Sequence, residues 1–185
     1  VTIKDDDVQQ LVRQVVNRVL AEKSAQAGAP ASAAQKTIAL GADHGGFALK
    51  QDLAAYLREL GYAVNDCGAF TPDPVDYPDI AYAVAKLVSD GAAFRGIVID
   101  GAGIGSAMVA NKVPGVRAAL CYDLSTARNA REHNDANVLT LGARLIGAGL
   151  ARDIVQVFLE TECAEERHKK RVAKIMDVER RYLKK

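Results

Sequence analysis

Gly96-Ile97-Val98-Ile99-Asp100-Gly101-Ala102-Gly103-Ile104-Gly105-Ser106 is the stretch whose reading decides the fold. A short apolar strand runs into a loop of alternating glycines, and a helix follows as far as Val109-Ala110-Asn111-Lys112. Glycine lets a backbone turn tightly and approach a ligand, and the first N–H groups of a helix have no intrahelical partners. Strand, glycine loop and helix N-terminus therefore make a cradle for an anion. A carboxylate, Asp100, stands beside it, and a base next to an oxyanion-stabilising nest is what proton abstraction beside a carbonyl requires. The loop alone also suits a mononucleotide, a dinucleotide or a plain tight turn. No lysine stands where a P-loop needs one, and the spacing is not G-x-x-x-x-G-K.

Outward from this stretch, strands are expected at 37–42, 62–67, 96–100, 116–121 and 137–141. Helices are expected at 46–60, 78–90, 105–112, 124–133, 148–160 and 165–182. The alternation predicts an α/β fold, a Rossmann-like, doubly wound, five-stranded parallel sheet. Ligands of such sheets bind at the carboxyl ends of the strands. Asp43-His44, Asp100 and Gly142-Ala143-Arg144 fall at those ends, and His133-Asn134 falls in the turn entering the fifth strand.

The chain reads as residues 1–22, an amphipathic helix; 23–36, a flexible linker; and 37–185, the α/β domain. Val8, Leu11, Val12, Val15, Val16, Val19 and Leu20 form the helix's apolar stripe. The Ala-, Ser-, Gln- and Gly-rich stretch with Pro30 has no apolar period. The formal net charge of +1 argues against a general nucleic-acid binder. No apolar run is long enough to span a membrane, and no secretory signal is visible. The three cysteines lack paired spacing, which fits a reducing, cytoplasmic setting, and the three scattered histidines predict no metal site.

Six motifs occur in one order: Gly41-Ala42-Asp43-His44-Gly45-Gly46-Phe47, Val75-Asp76-Tyr77-Pro78-Asp79, Gly101-Ala102-Gly103-Ile104-Gly105, Ala110-Asn111-Lys112-Val113, Arg131-Glu132-His133-Asn134-Asp135-Ala136-Asn137-Val138 and Arg167-His168-x-x-Arg171-Val172. Over roughly residues 37–178 the chain resembles the type B ribose-5-phosphate isomerases and the galactose-6-phosphate isomerase subunits. The resemblance implies an aldose–ketose isomerase working through a cis-enediol, with no metal or organic cofactor. It also implies a homodimer, often paired into tetramers, whose active sites are built from two subunits. His133 matches the histidine that opens the sugar ring, and Asn134 a residue that binds sugar hydroxyls or the enediolate. Asp43, His44 and Tyr77 match pocket-lining residues. Gly101, Gly103 and Gly105 match the N–H donors to the oxyanion. Arg144, Arg167 and Arg171 match the phosphate-binding arginines, whose planar forks suit phosphate oxygens.

Two positions depart from the family pattern. Its usual base is a cysteine directly before the glycine loop, where this chain has Asp100; some relatives use a glutamate at the position of Ser106 instead. Asp100 is then either the base or a hydroxyl-binding or structural residue. Ala102 replaces the common threonine or serine, so a tetrulose or hexose phosphate is an alternative to ribose 5-phosphate, and a non-catalytic phosphosugar-binding scaffold is another. A nucleotide-binding module is suggested by the fold alone. His168 reads either as a site residue or as a solvated helix residue. Arg117, Arg128 and Arg131 read as surface or interface charges, and Cys67 and Cys121 as packing at strand ends. Residues 1–22 either pack on or dimerise the domain, or resemble an encapsulation peptide that docks on shell or cargo proteins of a bacterial microcompartment.

Overall fold

The structure, a computed structural model, describes residues 36–183. The expected N-terminal helix and the linker up to residue 35 lie outside the described residues.

Five strands, β1 (Thr37–Ala42), β2 (Ala63–Asp66), β3 (Arg95–Asp100), β4 (Ala118–Leu120) and β5 (Val138–Gly142), alternate with helices. These are α1 (Phe47–Glu59), α2 (Tyr77–Ser89), α3 (Ile104–Ala110), α4 (Leu124–Asn134), α5 (Ala148–Glu160) and α6 (Glu166–Tyr182). The sheet is all parallel with the order β2-β1-β3-β5-β4, so the doubly wound expectation holds. β4 is shorter than the pattern suggested. The Arg117 N–H leaves the strand ladder and donates to Asn137 Oδ1 at 2.7 Å.

The two sheet faces differ in side-chain size. Ile38, Leu40, Ile97, Ile99, Leu139 and Leu141 pack against Leu53, Leu57, Ile154 and Phe158 of α1 and α5, and all are fully buried. The opposite face carries Ala39, Val98 and Val138 against Ala81, Val84 and Ala85 of α2. Strand side chains alternate between faces, so this division follows from the period of two.

From β1 the chain builds outward to β2, then crosses back over β1 to β3. Connections leave the β1 and β3 carboxyl ends towards opposite faces, which opens a crevice there. Each of the helices α1 to α5 returns the chain to the amino edge of the sheet, and α6 starts from that edge. The last turn of α4, which carries His133, therefore lies at the amino edge, opposite that crevice.

Candidate active site

At the carboxyl ends of β1, β3 and β5 the structure brings together Asp43, His44, Asp100, the glycine loop and Arg144. Gly103 begins the turn with φ 77°, a left-handed conformation that glycine adopts without strain. A Cβ there would also stand 2.5 Å from Leu120. Asp100 is 5% exposed, and its carboxylate folds back into the loop. Oδ1 accepts from the N–H of Ala102 at 2.7 Å and from that of Gly103. Oδ2 accepts from the Ser106 N–H at 3.1 Å and the Ser106 hydroxyl at 2.5 Å. Asp100 thus takes three backbone donors of the cradle; the N–H groups of Gly101 and Gly105 are not among them. Tyr77 lies across the loop, so close that a Cβ on Gly105 would be 2.5 Å from its ring. The Tyr122 hydroxyl donates to the Ala102 carbonyl at 2.8 Å and holds the loop from the far side.

Asp43 Oδ1 accepts from the Gly46 N–H at 3.0 Å, which closes the turn after β1. His44 is exposed, and its Nδ1 accepts weakly from the Val75 N–H at 3.4 Å. Arg144 is exposed and runs along Gly101, with Cδ 3.6 Å from the position of a Cβ there.

His133, Asn134, Arg167 and Arg171 gather at the other edge, where α4 ends and α6 begins. The His133 ring stacks on His168, with centroids 4.2 Å apart and planes 19° from parallel. Asn129 faces His133 Nδ1 at 2.9 Å, and its Oδ1 faces the Asn134 amide at 3.4 Å. This network assigns the donor to Asn129 Nδ2, so neutral His133 carries its hydrogen on Nε2. The turn beyond is set by Asp135, whose φ of 45° is left-handed. Arg131 donates to Asp135 Oδ1 at 2.7 Å and to the Ala136 carbonyl at 2.6 Å. Arg117 donates to the Asn134 carbonyl at 3.2 Å and the Asp135 carbonyl at 2.7 Å. Of the two alternatives, surface or interface charge, the first does not hold for either arginine, since both side chains are largely buried. Each spends its donors on carbonyls at the end of α4, the negative end of a helix. Burial, with the like charges of Arg131 and Arg117, pushes the neighbouring Arg95 down to about 10.

His168 corrects the solvated alternative, because it is 2% exposed. Cys121 is buried at the end of β4, and burial pushes its thiol up to about 11, consistent with packing.

Sequence reasoning missed Lys50. Its ammonium is fully buried between Asp66, at 2.6 and 2.7 Å, and the Ala69 carbonyl at 2.7 Å. Asp66 also accepts from the Gly68 N–H at 2.9 Å. This buried ion pair anchors the start of the loop that runs from β2 to Tyr77. A signal for it existed: Lys50 falls on the buried stripe of Leu53, Ala54 and Leu57. An open groove of about 830 Å³ lies elsewhere, between β4, α4 and α6, and Asn134 alone of the expected site residues lines it.

Fold and loops together define a doubly wound α/β protein with a glycine loop and carboxylates at its carboxyl edge and an imidazole–arginine cluster at the other. The family model described as Ribose/Galactose Isomerase matches residues 38–175. Ribose-5-phosphate isomerase B of Clostridium thermocellum is 49% identical, with a TM-score of 0.77, covering 79% of this chain and 99% of that one. Ribose-5-phosphate isomerase B of Escherichia coli is 42% identical over 146 residues, 79% of this chain and 98% of that protein. D-erythrulose-4-phosphate isomerase of Pectobacterium atrosepticum is 44% identical over 130 residues, 68% of this chain and 84% of its own length. The chain belongs to the ribose/galactose isomerase family.

Proposed function

We propose that this protein interconverts a phosphorylated aldose and ketose, with ribose 5-phosphate and ribulose 5-phosphate as the first pair to test. The observation that carries the reading is the crevice at the β1 and β3 ends, where a carboxylate, Asp43, His44 and two unclaimed glycine N–H groups converge. In this reading His133 gives a proton to the ring oxygen as the C1–O bond breaks and takes back the proton that the C1 hydroxyl loses as it becomes the aldehyde. Asp100 takes the C2 hydrogen of the open aldose as a proton and returns it to C1, while the O2 proton passes to O1 and C2 becomes the carbonyl. The Gly101 and Gly105 N–H groups hold the enediolate oxygen, while the loop reserves the Gly103 N–H for Asp100. Ser106 suits this exchange, since its hydroxyl can donate to a carboxylate and accept from a carboxylic acid. Asp43, His44, Tyr77 and Asn134 take sugar hydroxyls; Arg144, Arg167 and Arg171 take the phosphate.

Asp100 and His133 lie at opposite sheet edges of one chain, which supports a site completed by a second copy in a homodimer. The groove between β4 and α6 offers a face for that copy, with Ile175 and Val178 about half exposed on its wall. D100N and H133N should each lose turnover while still binding substrate. Mixed subunits should recover about a quarter of the parent activity, since half the dimers then carry one intact site. Full independence of the two lesions would refute the shared site.

The four hydrogen bonds on Asp100 favour a second reading, in which it is the loop's internal anion and not the base. D100N would then keep turnover. The erythrulose-4-phosphate relative, with the missing hydroxyl at Ala102, makes a four-carbon sugar phosphate the first alternative substrate. Residues 1–22 are proposed as a docking helix for microcompartment shell or cargo proteins, with the enzyme inside the compartment. Deleting residues 1–36 should leave activity and abolish that association.

A further inference from the structure

His168 is a buried imidazole with no hydrogen-bond partner on either ring nitrogen. Buried polar atoms without partners are costly, and one that persists calls for an explanation. One partner stands just out of reach: Glu165 Oε2 is 3.8 Å from His168 Nε2. That same oxygen is held by Arg167 Nε at 2.5 Å, with Arg167 Nη2 at 3.5 Å from Oε1. Arg167 is itself a proposed phosphate ligand, so a bound phosphate and Glu165 compete for one guanidinium. A movement of about 1 Å would bring the released carboxylate into hydrogen-bond range of His168.

We propose that Glu165 and His168 are positioning residues that couple phosphate capture to His133. Phosphate takes Arg167, the freed Glu165 accepts the Nε2 hydrogen of His168, and the ring beneath His133 becomes anchored. The proposal rests on the phosphate role of Arg167 and Arg171 given above. The charges around the pair are Glu132 beside His133 on α4, and Glu165 before α6 with Arg167 and Arg171 on it, beside His168. Without phosphate, burial first, then His133, Arg167 and Arg171, hold the His168 proton affinity down, and Glu165 opposes them. Phosphate should therefore raise that affinity twice over: by neutralising the arginines, and by freeing Glu165. Glu165→Gln keeps the first effect and removes the charge behind the second.

The test is a titration of the three histidine side chains by NMR in the full chain and in E165Q, with and without saturating inorganic phosphate. Single histidine substitutions assign the signals. The expected result is a phosphate-induced rise in the His168 midpoint about tenfold larger in proton affinity for the parent than for E165Q. Equal phosphate-induced rises in the two proteins would overturn the coupling while leaving the phosphate role of the arginines standing. No response of His133 or His168 to phosphate would overturn the arginine assignment and the coupling with it.

Discussion

Lys50 and Asp66 should not be equivalent, although each is the other's partner. The Lys50 ammonium is 0% exposed and holds three oxygens. The Asp66 side chain is 30% exposed and has a further donor in the Gly68 N–H. Lys50→Met removes the buried charge and fills its volume with apolar atoms. Asp66 is then left at the edge of solvent, where water can replace the ammonium. Asp66→Asn leaves the ammonium buried with two neutral acceptors and no counter-charge. Breaking a buried pair from the side that strands the charge costs about 3–5 kcal/mol, while an apolar replacement of the buried member is much milder, about 1–2 kcal/mol here. For a domain of this size about 1 kcal/mol moves Tm by about 2–4 °C. The two costs differ by about 2.5 kcal/mol, so D66N should melt about 5–10 °C below K50M. Urea unfolding of the parent, K50M and D66N would measure the two costs directly. K50M costing as much as D66N, or more, would refute the claim that burial of the ammonium sets the asymmetry. Both variants should also raise KM for a sugar phosphate, because the pair anchors the loop leading to Tyr77.

Three further outcomes are expected. Gly105→Ala should raise KM, because the new methyl meets the Tyr77 ring at 2.5 Å; Tyr77→Leu in the same chain should recover part of the loss in steady-state assays. Arg117→Ala should cost about 2–3 kcal/mol in urea unfolding, since it strips charged donors from the Asn134 and Asp135 carbonyls. Cys121 gives a pH signature. Its thiol is raised to about 11 in the folded chain, against about 8.5 unfolded. The folded state then holds the proton more tightly, so this contribution is complete below about pH 8.5 and is lost as pH rises towards 11. Cys121→Ala should flatten the fall in stability over that window, measured as urea midpoints at pH 8 and pH 10.5.

The doubly wound fold was legible because apolar runs and helical stripes alternate with glycine turns. The observed bounds of α5 match the expected 148–160, and those of β1 match 37–42. The strand order was not legible. Placing β5 between β3 and β4 depends on which helices cover which face, and no local pattern carries that. His168 was ambiguous for a physical reason: the apolar stripe of α6, Val172, Ile175 and Met176, stays partly exposed in this chain, so the pattern did not show that His168 at its head would be buried. Arg117 and Arg131 were misjudged because, besides the Asp135 carboxylate, their partners are backbone carbonyls. A sequence shows which charges could meet, but not that the end of a helix will stand within reach of a guanidinium.

The separation of the two clusters follows from the same topology. α4 has 11 residues and so carries the chain about 16 Å, from the carboxyl edge back to the amino edge. No side-chain rotation closes such a gap over one small sugar phosphate. Yet each cluster is tied down by hydrogen bonds of its own. Asp100 and Tyr122 tie down the glycine loop, while Arg117, Arg131 and Asp135 fix the turn that presents His133 and Asn134. Pre-formed halves lose little conformational entropy when they meet, and that lowers the cost of assembling a site from two chains. In the proposed dimer the arginine network at the end of α4 would serve both stability and catalysis, stabilising its own chain while holding residues that a second copy would use.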